Sequence, residues 1–359
     1  HSISCNSAAL KMLDVPLHIR NSDTADGVFR EKAYMWISER LSEINTDEDR
    51  ELAFRTAEKK AFSQGVVSVH ALEGGKGWGM EDADFMLKKE MNPDGGIGIT
   101  LYPQTVDISW AKERNLKRIG GCLLIDGTIG NRTAALIEPY CDSDTSGELY
   151  FSESALLSFV ERAFREGMQT AFHAIGDRAS MLVASVYSKA LKRNPGVYRP
   201  RIEHCEVFSE DVCRICSENS ILVAVQPVFE RIWGSSMYRG SLGNRRTNCY
   251  RTMLDNGIRL AGGSDYGVTE ISPLKGIAAA VKREDGEGIS IDEAFRMFSS
   301  DAAYFSFEEN KKGSVRIGAL GDFAVLSEEP SYVNIDDIFV LKTFKSGELK
   351  FSSDSSCVK

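Results

Sequence analysis

The chain has 359 residues, 42% of them apolar, and a formal net charge of -9 at neutral pH. That is enough apolar material for a large buried core, while the negative balance repels phosphate, so nucleic acid and anionic membrane surfaces are excluded as expected partners and a small molecule is favoured. The longest apolar runs are only of strand length, no secretion signal is seen and the eight cysteines are scattered, so a reduced, cytoplasmic protein without a membrane span is expected.

Residues 1–45 read as an irregular excursion with one helix, in GVFREKAYMWISERL. From 46 to 310 short apolar segments alternate with helix-period stretches. The segments are GVVSVHAL (65–72), GIGITLY (96–102), GGCLLIDG (120–127), MQTAFHAI (168–175), PRIEHCEV (200–207), ILVAVQP (221–227) and IRLAGGSDY (258–266). Their near-continuous apolar character predicts strands buried on both faces, and the alternation with helices predicts a parallel sheet. DEDRELAFRTAEKKAFSQ, SESALLSFVERAFREG and SIDEAFRMFSSDAAYFSF carry apolar residues at three- and four-residue steps behind Ser or Asp caps, and read as crossover helices. The pair Cys213 and Cys216 lies in SEDVCRICSEN, which reads as an amphipathic helix rather than a metal or redox site. After about residue 310 the texture changes to turns and short strand-like runs, so 311–359 is expected to be a small β appendage.

Two architectures fit such an alternation, a (β/α)8 TIM-type barrel and an open doubly wound sheet. No G-x-G-x-x-G follows an early strand, and polar residues collect at the C-terminal ends of several strands, where a barrel keeps its site. His70, His173 and His204 end predicted strands, and Asp265 takes the same place in GGSDYG. Neutral imidazoles with a carboxylate are a ligand set for zinc or a similar divalent ion, which acidifies bound water.

Taken together, HAIGDRA, RIEHCEVFSEDVCRICSENSILVAVQPVF, GGSDYGVTEISPLKGIAAAVKRED, IDGTIGNRTAALIEPY and GSVRIGALGDFAVL resemble the amidohydrolase superfamily over nearly the whole chain, and amidohydrolase family 3 in particular, the N-substituted formamide deformylase-like branch. The resemblance implies a distorted (β/α)8 barrel with a small β-sandwich, and metal-dependent hydrolysis of non-peptide C–N bonds. It implies that His173 and His204 hold the buried metal. Asp265 then contacts a metal or shuttles the proton.

Two departures stand out. The family's fourth strand ends in a bridging lysine, in a pattern like Lys-Leu-Phe-Ala-Asp-Gly, whereas this chain has Cys122-Leu123-Leu124-Ile125-Asp126-Gly127. Cys122 is therefore either a thiolate ligand completing a three-residue site with His173 and His204, or a buried core cysteine. One ion is expected rather than a lysine-bridged pair. No His-x-His, the family's first-strand motif, occurs here; HSISCNSAAL matches the later part of the family's following excursion from its histidine onward. The reading is thus a chain with the first barrel strand missing, 1–45 covering the barrel mouth, 46–310 forming the barrel and 311–359 the rest of a β-sandwich. His1, Asn6, Arg132, Thr133 and Gln226 are expected to contact substrate, His70 to support the ligands or the core, and Asp177 to support His173 or cap the next helix. An amide-like small-molecule hydrolase is the leading expectation, able to pair as a homodimer, with a non-catalytic binding protein of the same fold as the alternative.

Overall fold

The computed structural model describes residues 2–16, 19, 27–30, 32–74, 80–91 and 95–353. The N-terminal excursion is more regular than its sequence suggests: β1 (Ser2–Ser4) pairs antiparallel with β2 (Val28–Arg30), and helices run over Ser7–Met12 and Lys32–Ile44. The stretch expected to begin as helix at Gly27 gives its first residues to β2, because Phe29 opposite Ile3 is fully buried. These elements share a small core of Leu13, Val15, Phe29, Ala33 and Ile37, separate from the main one.

All seven expected segments form strands: β3 (Ser68–Glu73), β4 (Gly98–Pro103), β5 (Arg118–Leu124), β6 (Gln169–Ala174), β7 (Arg201–His204), β8 (Leu222–Val225) and β9 (Leu260–Gly262). They pair only in parallel, β3 with β4 and β5 through β9 in sequence order. Helices alternate with them, which is what parallel connections require. The helix Asp47–Ser63 opens on a capping box between Thr46 and Asp49, and Ser152 caps Glu153–Arg165. The predicted SIDEAFRMFSSDAAYFSF helix is instead two, Ile291–Met297 and Ser300–Phe305, because Ser299 leaves the helical region between them.

Every residue of β6, β7 and β8 is buried, matching their near-continuous apolar sequence. Phe172 on β6 shows the packing: fully buried, it meets Phe159 at 5.9 Å and Tyr187 at 5.7 Å between ring centroids. Burying one such side chain contributes roughly 1.5–3 kcal/mol. The C-terminal strands β10 (Phe323–Leu326), β11 (Val340–Lys345) and β12 (Glu348–Ser352) form an antiparallel sheet in that order. Among the described residues, no helix is long and apolar enough to cross a membrane.

Candidate metal centre

Backbone conformation brings the site together at the C-terminal ends of the strands. In β5, Ile119 faces Thr170 and Leu123 faces Phe172, so four steps along β5 oppose two along β6. The surplus is absorbed by Gly120 (φ 98°) and Gly121 (φ 57°), where an added Cβ would lie 2.5 Å from Ala171 O and 2.5 Å from Tyr102 O respectively. Only glycine fits, and the bulge re-aims the next side chain, Cys122. At the end of β7, His204 (φ 77°) and Cys205 (φ 51°) both adopt the left-handed conformation, as does Asp265 (φ 50°) beyond β9. Such backbone costs of order 1–3 kcal/mol per residue and clusters at functional sites.

Cys122, His173 and His204 each offer a ligand atom, and the three atoms lie within 4.8 Å of one another. The imidazoles meet edge to face with centroids 4.6 Å apart, and Cys122 Sγ is 3.7 Å from His204 Nε2. Each ring is oriented from behind. His204 Nδ1–H donates to Gln226 Oε1 at 2.8 Å, which puts the lone pair on Nε2, toward Cys122. His173 Nε2–H donates to Gly127 O at 3.1 Å with Asp126 Oδ1 at 3.5 Å, which puts its lone pair on Nδ1. This is how metal-binding histidines are held, with the far nitrogen on a carbonyl or carboxylate. Two such imidazoles and a thiol fit a borderline-soft divalent ion such as zinc. Burial pushes the Cys122 thiol well up, and the charges of Asp265 and Glu203 push it further.

Asp265 lies outside this three-residue group. It is exposed, in a turn where its carbonyl accepts the Val268 N–H at 2.8 Å. Gln226, expected to face substrate, is instead 7% exposed and committed to His204. Arg132 and Thr133 were expected to hold a substrate oxygen, but both shape their own loop. The Arg132 guanidinium clasps Asp142 through Nε at 2.9 Å and through Nη2, and Thr133 Oγ1 accepts the Thr128 N–H at 3.0 Å. Asn6 caps the Ser7–Met12 helix through the Ala9 N–H at 2.9 Å. His1 lies outside the described residues. Asp177 is the first residue of the Asp177–Arg193 helix, whose cap position is Gly176, and its Oδ1 receives the N–H groups of Ile137 and Arg178, both at 2.9 Å. His70 accepts from Arg201 at 3.0 Å and lies beside Tyr102; burial holds its pKa well below the usual range, with Arg201 adding to the effect. Cys213 and Cys216 are buried in the core.

Three supporting groups carry no signal of their role in the sequence. Asp126, completely buried, accepts the N–H groups of Ala135 (2.8 Å), Ile175 (3.0 Å) and Gly176 (2.8 Å), tying the loop after β5 to the end of β6. Glu203, beside His204, forms a buried pair with Arg201, Nη2 to Oε2 at 2.8 Å. Glu206 receives the Tyr238 hydroxyl, and burial raises its carboxyl to about 8.

The amidohydrolase family model matches residues 1–349. "Protein LONG AFTER FAR-RED 3" of Arabidopsis thaliana is 28% identical over 369 residues, covering 91% of this chain and 63% of that protein. "N-substituted formamide deformylase" of Arthrobacter pascens is 25% identical, covering 70% of this chain and 49% of that protein. The chain thus spans less than two thirds of the length of these relatives. Among solved structures, an uncharacterized metal-dependent hydrolase from Pyrococcus furiosus superimposes with a TM-score of 0.72 at 26% identity, covering 89% of this chain and 68% of that one. With a parallel α/β architecture shared with metal-dependent hydrolases and a family match over nearly its whole length, the chain belongs to the amidohydrolase family.

Proposed function

We propose that this chain hydrolyses a carbon–nitrogen bond, other than a peptide bond, in a small amide-like molecule, and that Cys122, His173 and His204 hold one divalent ion, zinc by the chemistry of the donor set. The observation that carries the reading is the meeting of those three ligand atoms within 4.8 Å. An ion there would act as a Lewis acid on the scissile carbonyl and on water. Gln226 and Gly127 O keep the two imidazoles in the tautomers that present their lone pairs to the cluster. Asp265, exposed at the mouth, is the group to accept a proton from the attacking water and return it to the leaving nitrogen. The reading extends to the fold: an (β/α)8 barrel needs one more parallel strand between the outer edges of β3 and β9, and a β-sandwich needs more than β10–β12. The unmatched part of the relatives' length leaves room for both.

The test is hydrolysis of N-substituted formamides and acyl anilides by the zinc-loaded chain and by Asp265→Asn. The variant is expected to keep its metal and lose about 10²- to 10⁴-fold in kcat. A wild-type chain that binds zinc and releases amine from none of these compounds would favour the binding-protein alternative.

A further inference from the structure

We infer that Tyr238 and Glu206 are positioning residues of the metal centre: the bond between them holds the turn that carries His204 and so fixes how that imidazole meets an ion. The inference rests on the reading of Cys122, His173 and His204 as ligands and deepens it.

The turn needs a hold from outside. His204 (φ 77°) and Cys205 (φ 51°) stand side by side in the left-handed region, where residues with side chains stay only if their surroundings keep them there. On one flank the hold comes from the end of β6: the Cys205 N–H donates to Ala174 O at 2.9 Å and the Val207 N–H to Ile175 O at 3.0 Å. On the other flank residues 246–248 close on the turn. The Phe208 N–H donates to Arg246 O at 2.9 Å, and the Asn248 N–H to Glu206 O at 2.8 Å. The Glu206 side chain adds a third direction, because its buried carboxylate accepts the hydroxyl of the buried Tyr238.

Tyr238 belongs to the same segment that orients the His204 ring. The segment starts at Gln226, the acceptor for His204 Nδ1–H, and continues as the helix Pro227–Trp233, whose Phe229 ring faces His204 at 6.2 Å, nearly parallel at 15°. It then widens into a π turn over Gly234–Tyr238, a rare geometry that recurs at functional sites. Glu230 anchors this helix to the stretch that also clamps the His204 turn: its Oε2 accepts the Thr247 hydroxyl and the Asn248 side-chain N–H, both at 2.8 Å. Gly234 permits that pose, since a Cβ there would overlap Glu230 Oε1. The Tyr238 ring packs in a small core with Ile129, Leu136, Tyr140, Val207 and Leu242. That core takes in the loop after β5, whose Gly127 O orients His173. Both histidines are therefore braced by one packed unit, and the Tyr238 hydroxyl is a polar link from it to the His204 turn.

Tyr238→Phe removes the hydroxyl and keeps the ring in the small core. Tyr140→Phe is the matched control: Tyr140 lies in the same core, and its hydroxyl donates to Ala134 O at 2.9 Å, inside the loop after β5. Zinc affinity, by chelator competition, and the visible d–d bands of the cobalt(II)-loaded full chain are measured for both. Losing a direct partner of a ligand costs about 10- to 100-fold in affinity, so a support one step removed should cost about 3- to 10-fold. Tyr238→Phe is expected to weaken zinc by that factor and to shift the cobalt bands. Tyr140→Phe is expected to lower thermal stability and leave affinity and bands as in wild type. Equal changes in the two variants, or wild-type affinity and bands in Tyr238→Phe, would overturn the inference. The two readings fail separately. A wild-type chain that takes up no ion contradicts the ligand reading and carries the inference with it, whereas wild-type uptake with the two variants alike contradicts the inference alone.

Discussion

Gln226→Leu removes the acceptor that orients His204 while keeping the size of the side chain close to that of glutamine. His204 and Gln226 are 5% and 7% exposed and joined at 2.8 Å, so the variant leaves a buried imidazole N–H without its acceptor. In a rigid site that orphan would cost about 1–3 kcal/mol. Without metal the ring can rotate or change tautomer, so the stability loss should fall at the low end. With metal, Nε2 must stay unprotonated and aimed at the cluster, and the variant cannot escape in that way. The expected loss of zinc affinity is therefore about 10- to 100-fold, equivalent to about 1.4–2.7 kcal/mol. Competition against a chromophoric chelator reads the affinity, and thermal unfolding of the metal-free proteins reads the background cost. A variant that binds zinc as tightly as wild type, with its fold intact, would refute the assignment of Gln226 as the group that holds His204.

Other consequences follow from individual residues. Burial and the charge of Asp82 raise the Glu73 carboxyl from 4.5 to about 7, so the folded state holds that proton more tightly than the unfolded chain. Stability contributed by the protonated form is lost as pH rises from the unfolded pKa through about 7, and Glu73→Gln should remove that slope and gain about 1–2 kcal/mol at pH 8. Urea unfolding at pH 5 and pH 8 checks it, and an identical pH slope in both proteins would contradict it. Gly120→Ala places a Cβ 2.5 Å from Ala171 O at φ 98° and should weaken zinc binding, whereas Gly167→Ala, at φ 69° with no atom within 4 Å of its Cβ, should cost only stability. Equal zinc retention in the two variants would show that the bulge does not aim Cys122. Asp126→Asn replaces part of the acceptor for three buried N–H groups and should cost about 2–4 kcal/mol in urea unfolding. A loss below about 0.5 kcal/mol would remove Asp126 as the tie between the loop after β5 and β6.

Apolar runs made the seven strands legible because burial on both faces leaves little room for polar residues, as β6, buried at every position, shows. Their ends were harder to read. β7 stops at His204 although the predicted segment runs on to Val207, because His204 (φ 77°) and Cys205 (φ 51°) both turn into the left-handed region, which no local residue preference announces. The histidines could be picked out as strand-end groups, and Cys122 through its place in the motif, but which residues serve them could not. Gln226 reads equally well as a pocket lining and as a brace, and Arg132 as a substrate clamp until Asp142 is seen to occupy it. Asp126 is visible in the sequence as an Asp-Gly turn, and only folding brings it beside His173 and three N–H groups from distant positions. The Gly120–Gly121 pair was the one local signal of the bulge, since adjacent glycines inside a strand mark irregular pairing.

The central claim is that a thiolate and two imidazoles hold the ion. Cobalt(II) substitution tests it most directly, because a cobalt–thiolate bond adds an intense charge-transfer absorption in the near ultraviolet. The account predicts one cobalt ion per chain, that absorption in the wild-type protein, and its disappearance in Cys122→Ser with the histidine-bound ion retained more weakly. A wild-type spectrum without the thiolate band, or a band that survives Cys122→Ser, would contradict it.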